Sequence, residues 1–348
     1  MLREIGRTRI GEGAPMYVIA EIGLNHGGSL DRALEMVDAA AWAGASAVKL
    51  QTLMADGLVA AHCPAPAHVR ATSLREFFAT FELDAEAHRQ IVARARRHGL
   101  DVLTTPLDLA ALPMLETLGL DGYKIASGDV THHALIAAAA RAGRPLLVST
   151  GMSSLWEITA ALDAAREAGG SPIALLHCVS AYPAPAASQN LRAIATLART
   201  FRLPVGLSDH GAGTGAAIPS LALGACLYER HLVLDHDLTA VDRAVSSTPD
   251  ELRALVAALE QARVALGDGR KVCQPAEAPN VIPSRRGVYA RRDLPAGTVL
   301  TSDDLAVVRP ANGLAPSDAA RLIGRPLARA LVAGEPFTPM DLGIERAS

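Results

Sequence analysis

The sequence has no basic stripe, no long apolar run and no paired-cysteine motif, and each absence removes a class of function. Its 33 lysines and arginines face 36 acidic residues for a net charge of −3, with both signs scattered. That balance argues against nucleic acid as a main partner. No apolar run approaches the roughly 18–20 residues that span a bilayer, so no membrane partner is expected. The segment MLREIGRTRIGEG lacks the hydrophobic centre of a signal peptide, and a cytoplasmic location is the expectation. Cys63, Cys178, Cys226 and Cys273 lie far apart with no CxxC spacing. They read as reduced thiols, against a disulfide frame or zinc knuckle.

Half of the 348 residues are apolar, enough for one large domain plus a small one. Eight short apolar runs, at 17–23, 46–52, 101–107, 122–127, 145–150, 173–178, 204–209 and 226–232, alternate with alanine-rich stretches of helical spacing. A strand–helix unit repeated eight times predicts a closed parallel (β/α)8 TIM barrel, α/β in class, with its chemistry at the carboxyl ends of the strands. Those ends carry Glu21, Lys49, Gln51, Thr105, Lys124, Ser127, Ser149, Ser208, Asp209, His210, Glu229 and His231. Buried strands have no structural use for so many polar groups. The long gap from 52 to 101 places an insertion at 57–83, where a barrel covers its substrate. Thr248-Pro249-Asp250 reads as the cap and first turn of a last barrel helix ending at Leu266.

The barrel is expected over 1–269, a proline-rich linker over 270–283 and a small β-rich domain over 284–348. Two similar phrases, DLPAGTVLTSDDL and ALVAGEPFTPMDL, read as an internal duplication. The small domain has too few large side chains for a substantial core and is expected to dock onto something.

His210 in SDHG and His231 in ERH end adjacent strands, whose backbones lie about 5 Å apart. Two imidazoles can then share a divalent ion with positions left open, Asp209 and Glu229 flanking them; the alternative is two unrelated, hydrogen-bonded histidines. Lysine inside an apolar strand needs an anion. Lys49 and Lys124, with Thr105, Ser127, Ser149 and Ser208, therefore suit a phosphate plus a carboxylate. Snorkelling at the rim or a Schiff-base Lys124 are the competing readings. Glu21 beside two lysines would accept or orient a proton, or form a salt bridge inside the barrel. GAGTG at 211–215 lacks the remaining features of a dinucleotide fingerprint and reads as an anion-tolerant turn. Tyr182 and Arg309 read as loop residues, either functional or merely exposed.

AEIGLNHGG, AVKLQT, TTP, YKIASGD, STGM, LLHCVSAYPAP, GLSDH, ALGA, ERH and TPDEL occur in this order, followed by RRGVYARRDLPAG and RPANGL. Together they resemble the sialic acid (N-acetylneuraminate) synthase family, a metal-dependent barrel with a carboxyl-terminal antifreeze-like (SAF) domain. The resemblance implies a cytoplasmic transferase that condenses phosphoenolpyruvate with an open-chain N-acetylated amino sugar, N-acetylmannosamine by default. A sialic acid or related nonulosonate and phosphate result.

It implies His210 and His231 as ligands of a divalent cation, usually manganese in the family, with magnesium or cobalt as substitutes. Lys49, Thr105, Lys124, Ser127, Ser149 and Ser208 would hold phosphoenolpyruvate. Gln51, Tyr182 and Asp242 would lie near the sugar or metal, and Glu21 would handle a proton or orient hydroxyls. A domain-swapped homodimer would bring Arg309 to the partner's substrate. Three departures concern the sugar end. Asp129 stands where many members have glutamate, TAVDRAVS (239–246) departs from the common GPDxxxS, and the insertion around HCPAPAH does not map onto the family pattern. Legionaminate or pseudaminate synthesis from a 6-deoxy-diacetamido sugar is the main competitor. A metal-dependent pyruvate aldolase, or a carbohydrate- or ice-binding tail on an inactive barrel, are the more distant ones.

Overall fold

A computed structural model describes residues 2–64 and 71–342. It divides into two compact units, Met1–Gly267 and Asp268–Ser348. In the first, eight parallel strands close on themselves. They are β1 (Tyr17–Gly23), β2 (Ala47–Thr52), β3 (Asp101–Pro106), β4 (Gly122–Ile125), β5 (Leu146–Ser149), β6 (Ile173–Cys178), β7 (Val205–Asp209) and β8 (Leu227–Leu232). Closure is shown by β8, which pairs in parallel with both β7 and β1. Each predicted run contains its strand, with ends trimmed by at most two residues.

Strand alternation sorts the side chains into two shells. Val18, Ala20, Ile22, Val48, Leu50, Val102, Val148 and Leu207 face outward into the main core beneath the helices. Tyr17, Ile19, Ala47, Leu103, Leu147, Ala174, Leu176 and Leu227 fill the lower barrel interior. Each such large apolar side chain contributes on the order of 1.5–3 kcal/mol when fully buried. One step further along the same inward-facing rows, the side chains become Glu21, Lys49, Thr105, Lys124, Ser149, Cys178, Ser208 and Glu229. Sequence parity alone therefore stacks an apolar plug under a charged floor.

Leu2, Ile5 and Ile10 join that plug through a two-stranded hairpin, Glu4–Ile5 with Thr8–Arg9.

The helices end where chemistry tells them to. Ser29 caps α1 (Leu30–Ala43) by accepting from the Arg32 amide, and Gly44 closes it at φ 82°. Small Ala33, Ala40 and Ala43 let α1 lie close to the sheet. The last barrel helix, Pro249–Leu266, has Thr248 and Glu251 in a reciprocal capping box, as expected from its sequence. Among the described residues no helix is long and apolar enough to cross a membrane.

After β2, short helices Ala55–Leu58 and Leu74–Ala79 build a separate apolar cluster of Leu24, Leu53, Ala55 and Phe81, with Phe77, Phe78 and Leu107 packed on it. Gly28 lies against this insertion at φ 76°; a Cβ there would stand 2.2 Å from the Thr80 carbonyl oxygen. Pro66 and its neighbours at 65–70 lie outside the described residues.

The second unit carries the expected internal duplication. Leu294 and Leu331 exchange backbone hydrogen bonds of 2.8 and 2.9 Å. Arg292 pairs with Asp304, and Arg329 with Asp341. Thr301 and Thr338 donate to those same carboxylates at 2.9 Å each. One sequence spacing relates all of these pairs. Contrary to the expectation of a deficient core, Val288, Leu294, Leu300, Leu305, Leu314, Leu322, Leu327, Leu331 and Phe337 form a closed core of their own. The stretch read as linker carries short helical turns at Pro275–Asn280 and Val281–Ser284.

Candidate active site

The carboxyl ends of the strands enclose a cavity of about 290 Å³. Glu21, Lys49, Gln51, Thr105, Lys124, Ser127, Tyr182, His210, Glu229 and His231 line it, so ten of the sixteen residues singled out from sequence meet in one place. Leu107, Met152 and Ser180 also line it and were not anticipated. Met152 has φ 60°, unusual for a residue with a side chain.

Glu229 is the hub. Its Oε1 accepts from Lys124 Nζ at 2.8 Å and from Ser208 Oγ at 2.7 Å, and its Oε2 lies 3.7 Å from Lys49 Nζ. Lys49 also pairs with Glu21, and donates to Thr105 Oγ1 at 3.2 Å. Gln51 Nε2 donates to the free side of Glu21 at 3.1 Å. Burial would raise the Glu229 carboxyl, but Lys124 and Lys49 hold it well below the usual carboxylate range. Burial would likewise lower Lys124, yet Glu229 and Glu21 hold its ammonium above the usual lysine value. An ammonium held that firmly is no free amine, which disfavours the Schiff-base reading of Lys124. The two lysines were expected to suit a phosphate plus a carboxylate, with Glu21 beside them. Each faces a carboxylate in the structure, Lys49 that of Glu21 and Lys124 that of Glu229, because an unpaired buried ammonium is costly.

Across the cavity His210 and His231 lie with ring centres 5.6 Å apart, and Tyr182 stacks on His210 at 4.3 Å. His210 Nδ1 lies 3.1 Å from the Val179 carbonyl oxygen. Burial, then His231 and Lys124, push the imidazole down to about 4, so it is neutral near pH 7. With Nδ1–H donated to that carbonyl, Nε2 carries a lone pair toward the cavity. His231 Nδ1 stands 3.2 Å from Asp242 Oδ2 without an aligned hydrogen bond. Burial would raise Asp242; His231 holds it below its ordinary value. The imidazole of His210 held by a carbonyl, beside that of His231 with a carboxylate close to its Nδ1, is a donor set that a divalent cation takes. Among the described residues no three His, Cys, Asp or Glu side chains are grouped to hold a metal. An ion here would rely on two imidazoles and on oxygens of substrate or water.

Six predicted residues lie outside the cavity lining. Ser208 is buried behind Glu229, and Ser149 is buried in β5 with its Oγ lacking any partner. Asp242 backs His231 from its loop. Asp129 sits half-buried in the turn after β4, where burial raises its carboxyl. Asp209, expected beside the imidazoles, points the other way. Alternation in β7 turns it outward, where it accepts from Tyr228 Oη at 2.6 Å and from the Gly211 amide at 2.8 Å. Arg309 is an exposed residue of the second unit.

Sequence reading missed Asn25. Its Nδ2 donates to the Leu232 carbonyl at 2.7 Å and to Ser246 Oγ at 2.9 Å, and its Oδ1 accepts the Asp242 amide at 2.9 Å. It ties the end of β1 to the loop that carries Asp242. The available signal was a polar residue two positions beyond an apolar strand, in GLNHGG.

The NeuB family model matches residues 36–271 and the SAF domain model residues 285–343. The chain is 36% identical to N,N'-diacetyllegionaminic acid synthase of Legionella pneumophila over 335 residues, 93% of this chain and 94% of that one. It is 30% identical to human N-acetylneuraminate-9-phosphate synthase over 322 residues, 91% and 89% of the two chains. Among solved structures, the N-acetylneuraminic acid (sialic acid) synthetase of Leptospira borgpetersenii superposes with a TM-score of 0.72 at 33% identity, covering 80% of this chain and 94% of that one. By sequence and by fold, the chain belongs to the NeuB family and carries a SAF domain after its barrel.

Proposed function

We propose that this enzyme condenses phosphoenolpyruvate with the open-chain aldehyde of an N-acylated amino sugar and water, giving a nonulosonate and inorganic phosphate. The observation that carries this reading is the single cavity in which a Lys49–Glu21–Glu229–Lys124 network faces the imidazole pair of His210 and His231. Lys49, Lys124, Thr105 and Ser127 are within the lining to receive the phosphate and carboxylate of phosphoenolpyruvate. His210 and His231 would hold a divalent cation, manganese by preference, which when bound supplies Lewis-acid polarisation of the aldehyde.

In the condensation, carbon 3 of phosphoenolpyruvate bonds to the aldehyde carbon, whose oxygen takes up a proton. Water adds at carbon 2, and the carbon 2–oxygen bond to phosphate then breaks. Glu21, steadied by Gln51 and Lys49, is placed to orient a sugar hydroxyl or accept the proton of the attacking water. Tyr182 covers the imidazoles and limits entry of bulk water.

Two carboxylates against two ammonium groups leave the floor near neutral, so attraction of a trianionic substrate gains from the cation's added charge. A pyruvate aldolase would need no such phosphate site. The acceptor remains within the acetamido sugars: N-acetylmannosamine, or a diacetamido 6-deoxy sugar, which the 36% identity to a legionaminic acid synthase favours. The proposal includes a cytoplasmic location, in keeping with four free cysteines. It also includes a homodimer in which Arg309 serves the partner's sugar.

Phosphate release measured with phosphoenolpyruvate, manganese and a panel of acetamido sugars tests the reaction. Release dependent on both sugar and cation is expected. Carbon–carbon bond formation from pyruvate without phosphate would refute it.

A further inference from the structure

Arg230 is among the most deeply buried large side chains of the barrel, 2% exposed, and it sits on the face of β8 opposite the cavity. Burying a guanidinium is costly unless its donors are satisfied. Here they grip the backbone. Nη1 donates to the carbonyl of Asp209 at 3.2 Å and to that of Gly211 at 2.8 Å, the residues on either side of His210. Nε donates to Ser247 Oγ at 3.2 Å, just beyond the loop that carries Asp242. Asp209 Oδ2 lies 3.8 Å from Nη1 and is itself held by Tyr228 Oη. On the far side, the His210 carbonyl accepts the Ala184 amide at 2.8 Å. Arg230 thus holds the backbone carbonyls of the residues before and after His210, while His231 follows Arg230 directly in the same strand.

We infer that Arg230 is a positioning residue that fixes the spacing and orientation of the two imidazoles for a divalent cation. The inference rests on the metal reading of the proposed function. A guanidinium suits the task, since Nη1 holds both carbonyls while Nε, on the same rigid plane, holds the Ser247 hydroxyl. An ammonium at the end of a lysine has one freely rotating centre and cannot hold the carbonyls and the hydroxyl together. Tyr228 supports the arrangement by orienting Asp209, without entering the cavity.

The test titrates Mn²⁺ into substrate-free protein and follows binding by electron paramagnetic resonance, comparing wild type, Arg230→Lys and Tyr228→Phe. Circular dichroism and thermal melting are recorded in parallel. Arg230→Lys is expected to bind Mn²⁺ about 10- to 100-fold more weakly, and raised Mn²⁺ should restore most of its turnover. Tyr228→Phe, a gentler change that keeps the core filled, should weaken Mn²⁺ several-fold. Lowered melting temperatures with Mn²⁺ affinity unchanged in both variants would make Arg230 merely structural and overturn the inference alone. Absence of Mn²⁺ binding to wild type would overturn the metal reading together with it.

Discussion

Two residues decide whether the cavity works as described. Glu229 satisfies two ammonium groups from strands far apart in sequence, so replacing it by an isosteric amide leaves them under-compensated. Glu229→Gln is expected to cost about 3–5 kcal/mol in urea denaturation and to lower turnover about 100-fold by loosening Lys124. Unchanged stability would mean that the network adds nothing to folding. His210→Ala removes an imidazole that pairs with no carboxylate, so the fold should survive. Manganese-dependent turnover should vanish, and retained activity would remove the metal role. Lys49, Lys124 and both histidines were legible in the sequence, because a charged residue inside an apolar strand has few innocent explanations. Asp209 was misplaced because a residue next to a histidine in SDH reads as its companion. The two-residue period of the strand turns it to the other face.

At the scale of elements, the turn after β1 links the barrel to its own acid sensitivity. His26 is almost fully buried and its Nδ1 accepts the Gly28 amide at 3.0 Å. Burial first, then His88 and Arg32, push its imidazole from 6.5 to about 4. Below about pH 6.5 the unfolded chain takes up a proton that the folded protein refuses until about pH 4. Stability should therefore fall as pH drops through that window, by roughly 3 kcal/mol from this group, and should not depend on it above. His26→Asn keeps an acceptor for Gly28 without titrating. Chemical denaturation at pH 7 and pH 4.5 should show a smaller loss for this variant; an equal loss would place the sensitivity elsewhere.

Strands were readable to within two residues because each is short, apolar and bounded by turns. The hairpin of Glu4–Ile5 and Thr8–Arg9 was not, since two-residue strands carry no period. Nor was Asn25 apparent, because its value lies in partners more than 200 residues away along the chain, a separation no local pattern encodes.

For the whole molecule, the two-unit division followed from composition, and the duplicated phrases of the second unit proved to be two halves holding each other by matched hydrogen bonds. The adequacy of its core was misjudged. Nine modest aliphatic and aromatic side chains close a small volume, with Leu294 and Leu331, and Leu300 and Phe337, at equivalent positions of the two halves. Arg309 gives the molecular scale its own prediction. If the second unit serves a partner's barrel, Arg309→Ala should raise the KM for sugar about tenfold or more while leaving that for phosphoenolpyruvate within about twofold. A loss confined to phosphoenolpyruvate affinity would contradict this placement, and light scattering should show a dimer in both proteins.

The most direct measurement is crystallographic: crystals soaked with Mn²⁺ and phosphoenolpyruvate, with anomalous scattering collected at the manganese edge. One peak is expected within bonding distance of both His210 and His231, with the phosphate ester beside Lys49 and Lys124 in the same cavity. A peak bound to neither imidazole, or an ester seated outside the ring of strand ends, would contradict the account.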